Sequence, residues 1–167
     1  MLKKRRVFVR IYDGDKMKKK YGYLILMLFW MSLIFYFSAQ PAAASNQTSD
    51  SILIKLLDFF SLSVTHDLPL WGILSFAIRK LAHMSEYAIL SMLAFGFFKE
   101  CNCKRCLFYA WLWSVGYACS DEFHQLFVLG RSGELRDVCI DAIGAGIGVL
   151  IIVLVMKWMH NSKEMSE

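Results

Sequence analysis

The sequence predicts an all-α integral membrane protein, a four-helix bundle with a short interfacial helix in its first outer loop. Three observations predict this class. Hydrophobic residues make up 57% of the 167 residues, four apolar stretches reach the length of a membrane span, and the ionisable residues within them lie near their ends. A spanning helix needs about 20 mainly apolar residues, and four such stretches exceed what a small soluble core can bury.

The four predicted spans are 22–39, 78–98, 107–128 and 138–159. The first is free of charge, whereas the other three carry polar residues near one end. Between the first two spans, residues 51–64 are apolar for only about three to four helical turns. Ser51, Lys55 and Asp58 lie on one side of this segment. Its length and polarity indicate a helix at the membrane interface.

Lysine and arginine determine the predicted orientation of the transmembrane domain (21–160). Fourteen of these residues lie in the basic N-terminus (1–20), in the 99–106 loop and in the C-terminal end, which includes the tail 161–167. Five lie on the other side of the membrane. The positive-inside rule therefore places both termini of a multi-pass cell-membrane protein in the cytoplasm. The basic N-terminus is typical of a topology signal and a bilayer anchor, so no nucleic-acid partner is expected.

Small residues at 42–45 follow the first span and would also suit a signal-peptide cleavage site. The long basic region and the long apolar stretch favour an uncleaved anchor. Cleavage would leave the rest of the topology unchanged.

With this topology, polar residues of all four spans collect toward the extracytoplasmic side. An ionisable group costs about 2.5–3.5 kcal/mol at the bilayer centre, so several such groups on different helices call for a common explanation. We interpret them as one site that opens to the outer leaflet. The predicted site residues are Gln40, Arg79, His83, Glu86, Asp121, Glu122, His124, Gln125, Arg131, Asp137 and Asp141.

Helical spacing places the polar residues of each span on one stripe. On the last span, Asp137 and Asp141 share a stripe with Gly144 and Gly148, whose G-x-x-x-G spacing allows a close helix contact. On the first span the polar stripe is Ser32, Tyr36 and Gln40. We expect all four stripes to face inward.

Lys80 is expected to lie apart from these stripes. It lies about 100° around the helix from Arg79, so its side chain is expected to reach the lipid headgroups.

Four motifs resemble those of VanZ-like membrane proteins: FSAQ at 37–40, RKLAHMSEY at 79–87, SDEFHQ at 120–125 with GRSG at 130–133, and DVCIDAIG at 137–144. The similarity extends from about residue 29 to about residue 150. It implies a bacterial cell-envelope protein linked to antibiotic resistance, because the founding member is associated with low-level resistance to the glycopeptide teicoplanin. It does not specify a reaction.

The predicted site contains more acids than bases. Two arginines face five carboxyl groups, so protons, a metal ion or a cationic ligand group must offset the surplus. One explanation is an ion-pair network that locks the helix ends together, with Arg79 bridging Glu86 to another carboxylate and Arg131 bound to Asp137. A second is a pocket that binds or protects a lipid-linked envelope precursor or a glycopeptide.

A third explanation is a metal-assisted or acid/base hydrolase or transferase that acts on a lipid-linked substrate. His83-x-x-Glu86 and Asp121-x-x-His124 place an imidazole and a carboxylate one turn apart on two helices, as in metal sites of helical bundles. These four residues are the candidate ligands of a divalent metal ion. The candidate catalytic residues are His83, Glu86, Asp121, Glu122, His124 and Asp141. The sequence leaves open whether the protein is an enzyme, a binding protein or a transporter.

Overall fold

A computed structural model describes residues 14–62 and 69–165 of the chain, and these residues contain helices and no strand. The all-α prediction is confirmed. The helices are α1 (Gly14–Ser38), α2 (Ala42–Phe59), α3 (Pro69–Glu100), α4 (Cys106–Gln125) and α5 (Leu135–Glu164).

Within this described part, three helices are long and apolar enough to cross a membrane: α1, α3 and α5. The predicted spans 22–39, 78–98 and 138–159 fall almost entirely within these helices. The predicted span 107–128 largely corresponds to α4, whose 20 residues extend over about 30 Å, the thickness of the hydrocarbon core. Mean hydropathy does not place α4 among these helices, so its crossing remains a prediction.

Two helices begin at or next to a proline, nine residues before the segments predicted for them. The predicted interfacial helix begins at Ala42 rather than at residue 51, directly after Pro41, whose φ is −54°. The helix that contains the second span begins at Pro69 rather than at residue 78. Proline suits both positions because its fixed φ and missing N–H are tolerated at a helix start.

Parts of three predicted segments lie outside the described residues. They are residues 1–13 of the basic N-terminus, residues 63–64 of the interfacial helix and residues 166–167 of the tail. Within the described part, α2 ends at Phe59, and Ser61 follows with a φ of 54°.

α3 lies at the centre of the bundle and contacts each of the other four helices. At one end of the bundle, Lys16 Nζ donates a hydrogen bond to Asn102 Oδ1 at 2.5 Å, which joins α1 to the α3–α4 loop. At the other end, the Ala42 N–H donates to the Leu129 carbonyl at 3.2 Å. This second end, called the α2 end below, holds α2, the start of α3, the 126–134 loop and the start of α5.

α5 packs on α3 through its small residues. A Cβ atom at Gly144 would overlap the backbone of Met84, and one at Gly148 would overlap the Ala88 carbonyl. The G-x-x-x-G stripe therefore contacts α3 of the same chain, and Asp141 is buried on the same side of α5.

Aromatic side chains add hydrogen bonds between helices by donating to main-chain carbonyls that carry a second lone pair. These bonds link α1 with α3, α1 with α4, and α4 with α5. The pairs are Trp30 with Glu86 at 2.9 Å, Tyr117 with Met31 at 2.6 Å, and Trp111 with Ala142 at 3.1 Å.

The inward face of α1 differs from the predicted one. Ser32 and Tyr36 are exposed, whereas Met27, Ile34 and Ser38 are buried. The prediction was wrong because it followed polarity alone, while the packed face combines apolar side chains with one hydroxyl that has a buried partner.

Alanine substitutions at two glycines of α5 test the α3–α5 contact. We expect Gly144→Ala to lower the free energy of unfolding by about 1–3 kcal/mol, because its Cβ would press on the α3 backbone. Gly146→Ala is the matched control: its Cβ would lie 3.9 Å from Trp111 Nε1, and alanine favours the helix. Denaturation of the purified protein, followed by circular dichroism, measures both. Equal losses would contradict the contact.

Candidate functional site

Three carboxyl groups are buried at the α2 end. Asp121 and Glu122 of α4 are 3% and 6% exposed, and Asp141 of α5 is 2% exposed. We call them the buried carboxyl cluster. Carboxyl groups placed this deeply require hydrogen bonds or neutralising partners.

A hydrogen-bond chain connects two members of the buried carboxyl cluster with α1. Ser38 Oγ donates to Asp121 Oδ2 at 2.8 Å. Gln125 Nε2 donates to Ser38 Oγ at 2.8 Å and to Glu122 Oε1 at 3.1 Å. The Glu134 N–H donates to Glu122 Oε2 at 3.1 Å. Residues from α1, α4 and the 126–134 loop are thereby held together.

The chain leaves some deep polar atoms without a partner. Asp121 Oδ1, Asp141 Oδ2 and the Tyr87 hydroxyl are buried and make no hydrogen bond within the described residues. Tyr87 is fully buried on α3. None of the three cavities described below is lined by a member of the buried carboxyl cluster.

Arg131 joins the 126–134 loop to α1 and α4. Its Nε donates to the Gln40 carbonyl at 2.9 Å, its Nη2 to the Phe37 carbonyl at 3.3 Å and its Nη1 to Gln125 Oε1 at 3.3 Å. The expected bond from Arg131 to Asp137 does not form, because the guanidinium caps the end of α1 instead.

The electrostatic surroundings of Arg131 are mixed. Burial lowers the pKa of Arg131 below its ordinary value, and Arg79 lowers it further, whereas Asp121 and Glu122 raise it. An arginine nevertheless stays charged in proteins. Arg131 thus lies between the buried carboxyl cluster and a second guanidinium.

Lys80 is part of the site, contrary to the prediction that it reaches the lipid headgroups. Its Nζ lies 2.5 Å from Asp137 Oδ2, and the two side chains are only 16% and 17% exposed. The predicted direction of Lys80 around the helix, about 100° from Arg79, was correct. However, α3 packs against other helices on several sides. A lysine that points away from Arg79 therefore meets the start of α5.

Arg79 does not bridge carboxylates as the ion-pair network required. Its Nη2 donates to Asn46 Oδ1 of α2, and its Nε is buried without a partner. Among the described residues, neither Arg79 nor Arg131 forms an ion pair with a carboxylate, whereas Lys80 does. Lys80 therefore pairs directly with an acid, whereas carboxylates act on Arg131 only from beyond ion-pair distance.

A cavity with charged groups in its lining lies at the α2 end and has a volume of about 450 Å³, and we call it the α2 cavity. One wall is apolar and carries Tyr36, Phe37, Ile52 and Ile78. The polar lining consists of Gln40, Ser45, Thr48, Ser49, Arg79, His83, Glu86 and Arg131. The α2 cavity thus combines charged groups with an apolar wall.

A smaller cavity of about 140 Å³ lies beside it, next to α5. Arg79, His83 and Arg131 line both cavities, and Asp137 lines only the smaller one. A third cavity of about 400 Å³ lies between α1, α3 and α4 and is mostly aromatic and aliphatic. It contains none of the predicted site residues.

The two predicted acid/base pairs have different surroundings. His83 Nδ1 lies 3.7 Å from Glu86 Oε2, and both residues line the α2 cavity. His124 packs its ring on Phe35 with centroids 4.4 Å apart. In residues 14–62 and 69–165, no three His, Cys, Asp or Glu side chains lie in an arrangement that could hold a metal ion. The four candidate metal ligands are therefore not gathered.

The predicted site residues fall into four groups by their placement. The α2 cavity is lined by Gln40, Arg79, His83, Glu86 and Arg131. The smaller cavity is lined by Gln125 and Asp137, and the carboxyl groups buried behind both cavities are Asp121, Glu122 and Asp141. The ring of His124 lies apart from them, against Phe35.

Sequence reasoning missed Ser38, Asn46, Lys80 and Tyr87. Ser38 and Tyr87 belong to motifs at 37–40 and 79–87 that were recognised, so the signal was present. No pattern marked Asn46, because α2 was expected to begin after it.

Comparison with known proteins identifies the chain. The profile of the VanZ/LLP1 family matches residues 23–156, which is most of the chain and includes both polar cavities. The chain belongs to the VanZ/LLP1 family. The resemblance to VanZ-like proteins is thereby confirmed. No protein with a curated description and no solved structure matches the chain, so its chemistry has to be inferred from the site.

Removing one hydroxyl tests the hydrogen-bond chain. We expect Ser38→Ala to lower the free energy of unfolding by about 1–3 kcal/mol, because Asp121 and Gln125 would lose a buried partner. Ser32→Ala on the exposed side of α1 is the control, since that hydroxyl only bonds back to the Leu28 carbonyl. Denaturation of the purified variants measures the difference. A loss in Ser32→Ala as large as in Ser38→Ala would contradict a specific role of Ser38.

Proposed function

We propose that this VanZ/LLP1 family member is a multi-pass protein of the bacterial cell membrane that binds the headgroup of a lipid-linked envelope component. Binding from the extracytoplasmic side would protect that component and contribute to resistance to teicoplanin and related glycopeptides. The observation that carries the proposal is the α2 cavity, which lies at one end of the apolar helices and combines an apolar wall with charged groups.

The shape and lining of the α2 cavity fit an amphipathic ligand. Ligand pockets have volumes of about 300–1,000 Å³ and contain a few oriented polar groups in a largely apolar wall. Here Tyr36 and Phe37 provide apolar surface on α1, while Arg79 and His83 face the cavity from α3. A headgroup would contact the charged side, and the attached chain would lie along the apolar side.

The orientation of the chain follows from the positive-inside rule. α1, α3, α4 and α5 cross the membrane in this proposal, which puts the α2 end outside and both termini in the cytoplasm. The Lys16–Asn102 bond is compatible with this arrangement because it joins the start of α1 to the α3–α4 loop.

Cysteine labelling in intact cells tests the orientation and the crossing of α4. We expect Ser132→Cys, in the exposed 126–134 loop, to react with an impermeant maleimide added outside. Natural Cys101, exposed in the α3–α4 loop, should react only after the membrane is permeabilised and serves as the internal control. The two loops flank α4, so labelling of both from the same side would show that α4 does not cross.

A second candidate function is acid/base hydrolysis or group transfer on the same lipid-linked ligand. It is favoured by the His83–Glu86 pair, whose 3.7 Å separation and position in the α2 cavity would allow a proton to be moved next to a bound headgroup. Both candidates use one cavity and differ in whether His83 is required.

Drug susceptibility of bacteria expressing the protein tests the proposal. We expect Arg79→Ala to return the minimal inhibitory concentration of teicoplanin to that of cells without the protein, because this change removes a cation that lines the α2 cavity. Glu100→Ala, at the other end of α3, is the control and should retain wild-type resistance. His83→Asn separates the candidates, since a binding protein should retain resistance and an enzyme should lose it. No difference between wild type and Arg79→Ala would contradict the resistance proposal.

A further inference from the structure

The cations of the α2 end have different partners. Lys80 is paired with Asp137 at 2.5 Å. Arg79 and Arg131 line the α2 cavity, and within the described residues neither is paired with a carboxylate. Two guanidinium groups without a direct ion pair therefore line one cavity, and Asp121, Glu122 and Glu86 act on Arg131 only from beyond ion-pair distance.

The two arginines also have unused hydrogen-bond donors. A guanidinium has five N–H donors in a planar fork. Arg131 uses three of them, and Arg79 uses one, on Asn46; all of their acceptors are uncharged. Arg79 Nε is buried without a partner. Within the described part of the chain, Arg79 Nη1 also has no partner and is not buried, so it can donate to an anionic acceptor in the cavity.

The placement of the two arginines favours a phosphate over a carboxylate as this acceptor. Arg79 on α3 and Arg131 on the 126–134 loop approach the cavity from different segments, so their ligand must offer acceptors in more than one direction. A phosphate monoester provides three strongly accepting oxygens, and arginine forks bind phosphate in a bidentate manner. The first turn of α2, through Ala44 and Ser45, lines the same cavity, and a helix N-terminus further stabilises an anion.

One carboxylate shares the cavity with the arginines. Glu86 would repel an anion, but it lies 3.7 Å from His83 Nδ1, and the two guanidinium groups outnumber it. The buried carboxyl cluster contributes no further lining residue to the α2 cavity.

We propose that Arg79 and Arg131 bind a phosphate group, and that the ligand of the α2 cavity is the phosphorylated headgroup of a membrane lipid. This inference rests on the proposed function, because it names the ligand class of the same cavity. It assigns to Arg79 and Arg131 a binding role, and to Lys80 the structural role of neutralising Asp137.

A matched pair of lipids tests the phosphate. Phosphatidic acid and diacylglycerol with the same acyl chains differ only in the phosphate group, and their binding to the full-length protein in detergent is measured by native mass spectrometry. We expect the wild type to bind phosphatidic acid at least about tenfold more tightly than diacylglycerol, since a charge-assisted hydrogen bond contributes roughly that factor or more. Equal affinity for the two lipids would overturn the phosphate assignment.

Two arginine variants separate the site from general surface charge. Arg79→Gln should reduce the affinity for phosphatidic acid by about tenfold and leave that for diacylglycerol unchanged. Arg136→Gln, an exposed arginine that pairs with Glu134 at 3.3 Å, is the control and should change neither. Equal losses in both variants would show non-specific attraction and would also overturn the assignment. Circular dichroism confirms that each variant is folded.

Further arms identify the source of the phosphate and test the cavity itself. Inorganic phosphate that competes with phosphatidic acid in the wild type, but not in Arg79→Gln, would support phosphate recognition and point to a soluble source. Ser45→Trp fills the α2 cavity. If diacylglycerol binds as well as phosphatidic acid and Ser45→Trp abolishes both, the phosphate assignment fails while lipid binding in the cavity stands. If Ser45→Trp changes no lipid binding, the proposed function fails as well.

Discussion

The backbone contact between α3 and α5 is the constraint on which the arrangement of the α2 end depends. Helices in a bilayer gain little from burying apolar surface against each other, so their association relies on close packing and polar contacts. Gly144 and Gly148 leave no room for a side chain against α3. The short distance that results buries Asp141 and lets Lys80 reach Asp137.

The charged residues of the α2 end have two roles: some hold the helices together, and others line the α2 cavity. The lysine that α3 directs toward α5 neutralises Asp137, and the hydrogen-bond chain through Ser38 satisfies one oxygen of Asp121. Arg131 binds main-chain carbonyls at the end of α1, so it fixes the loop without a direct ion pair to a carboxylate. Positive charge is therefore retained where the α2 cavity opens.

The features that could be predicted from the sequence depend on the local pattern of residues, and those that could not be predicted depend on which helices are neighbours. Hydropathy and helical spacing predicted the all-α class and the small-residue stripe of α5, because both depend on the chain's own periodicity. They failed for Lys80, since a helical wheel gives a direction but not which neighbour lies there. They failed for Ser38 and the inward face of α1, because polarity was taken as the sign of burial. Asn46 was missed because Pro41 starts α2 nine residues before its apolar stretch does.

The distribution of acids favours binding over two-carboxylate catalysis. Of the five carboxyl groups predicted for the site, only Glu86 lines the α2 cavity, Asp137 is paired with Lys80 beside the smaller one, and the remaining three are buried behind Arg131 and Gln125. Acid/base chemistry that uses a second carboxylate would require one of these three to reach the ligand. In the observed packing, Asp121 and Glu122 instead accept hydrogen bonds from Ser38, from Gln125 and from the Glu134 N–H. An anionic headgroup would meet positive charge first, and Glu86 with His83 would be the remaining pair able to exchange a proton with it.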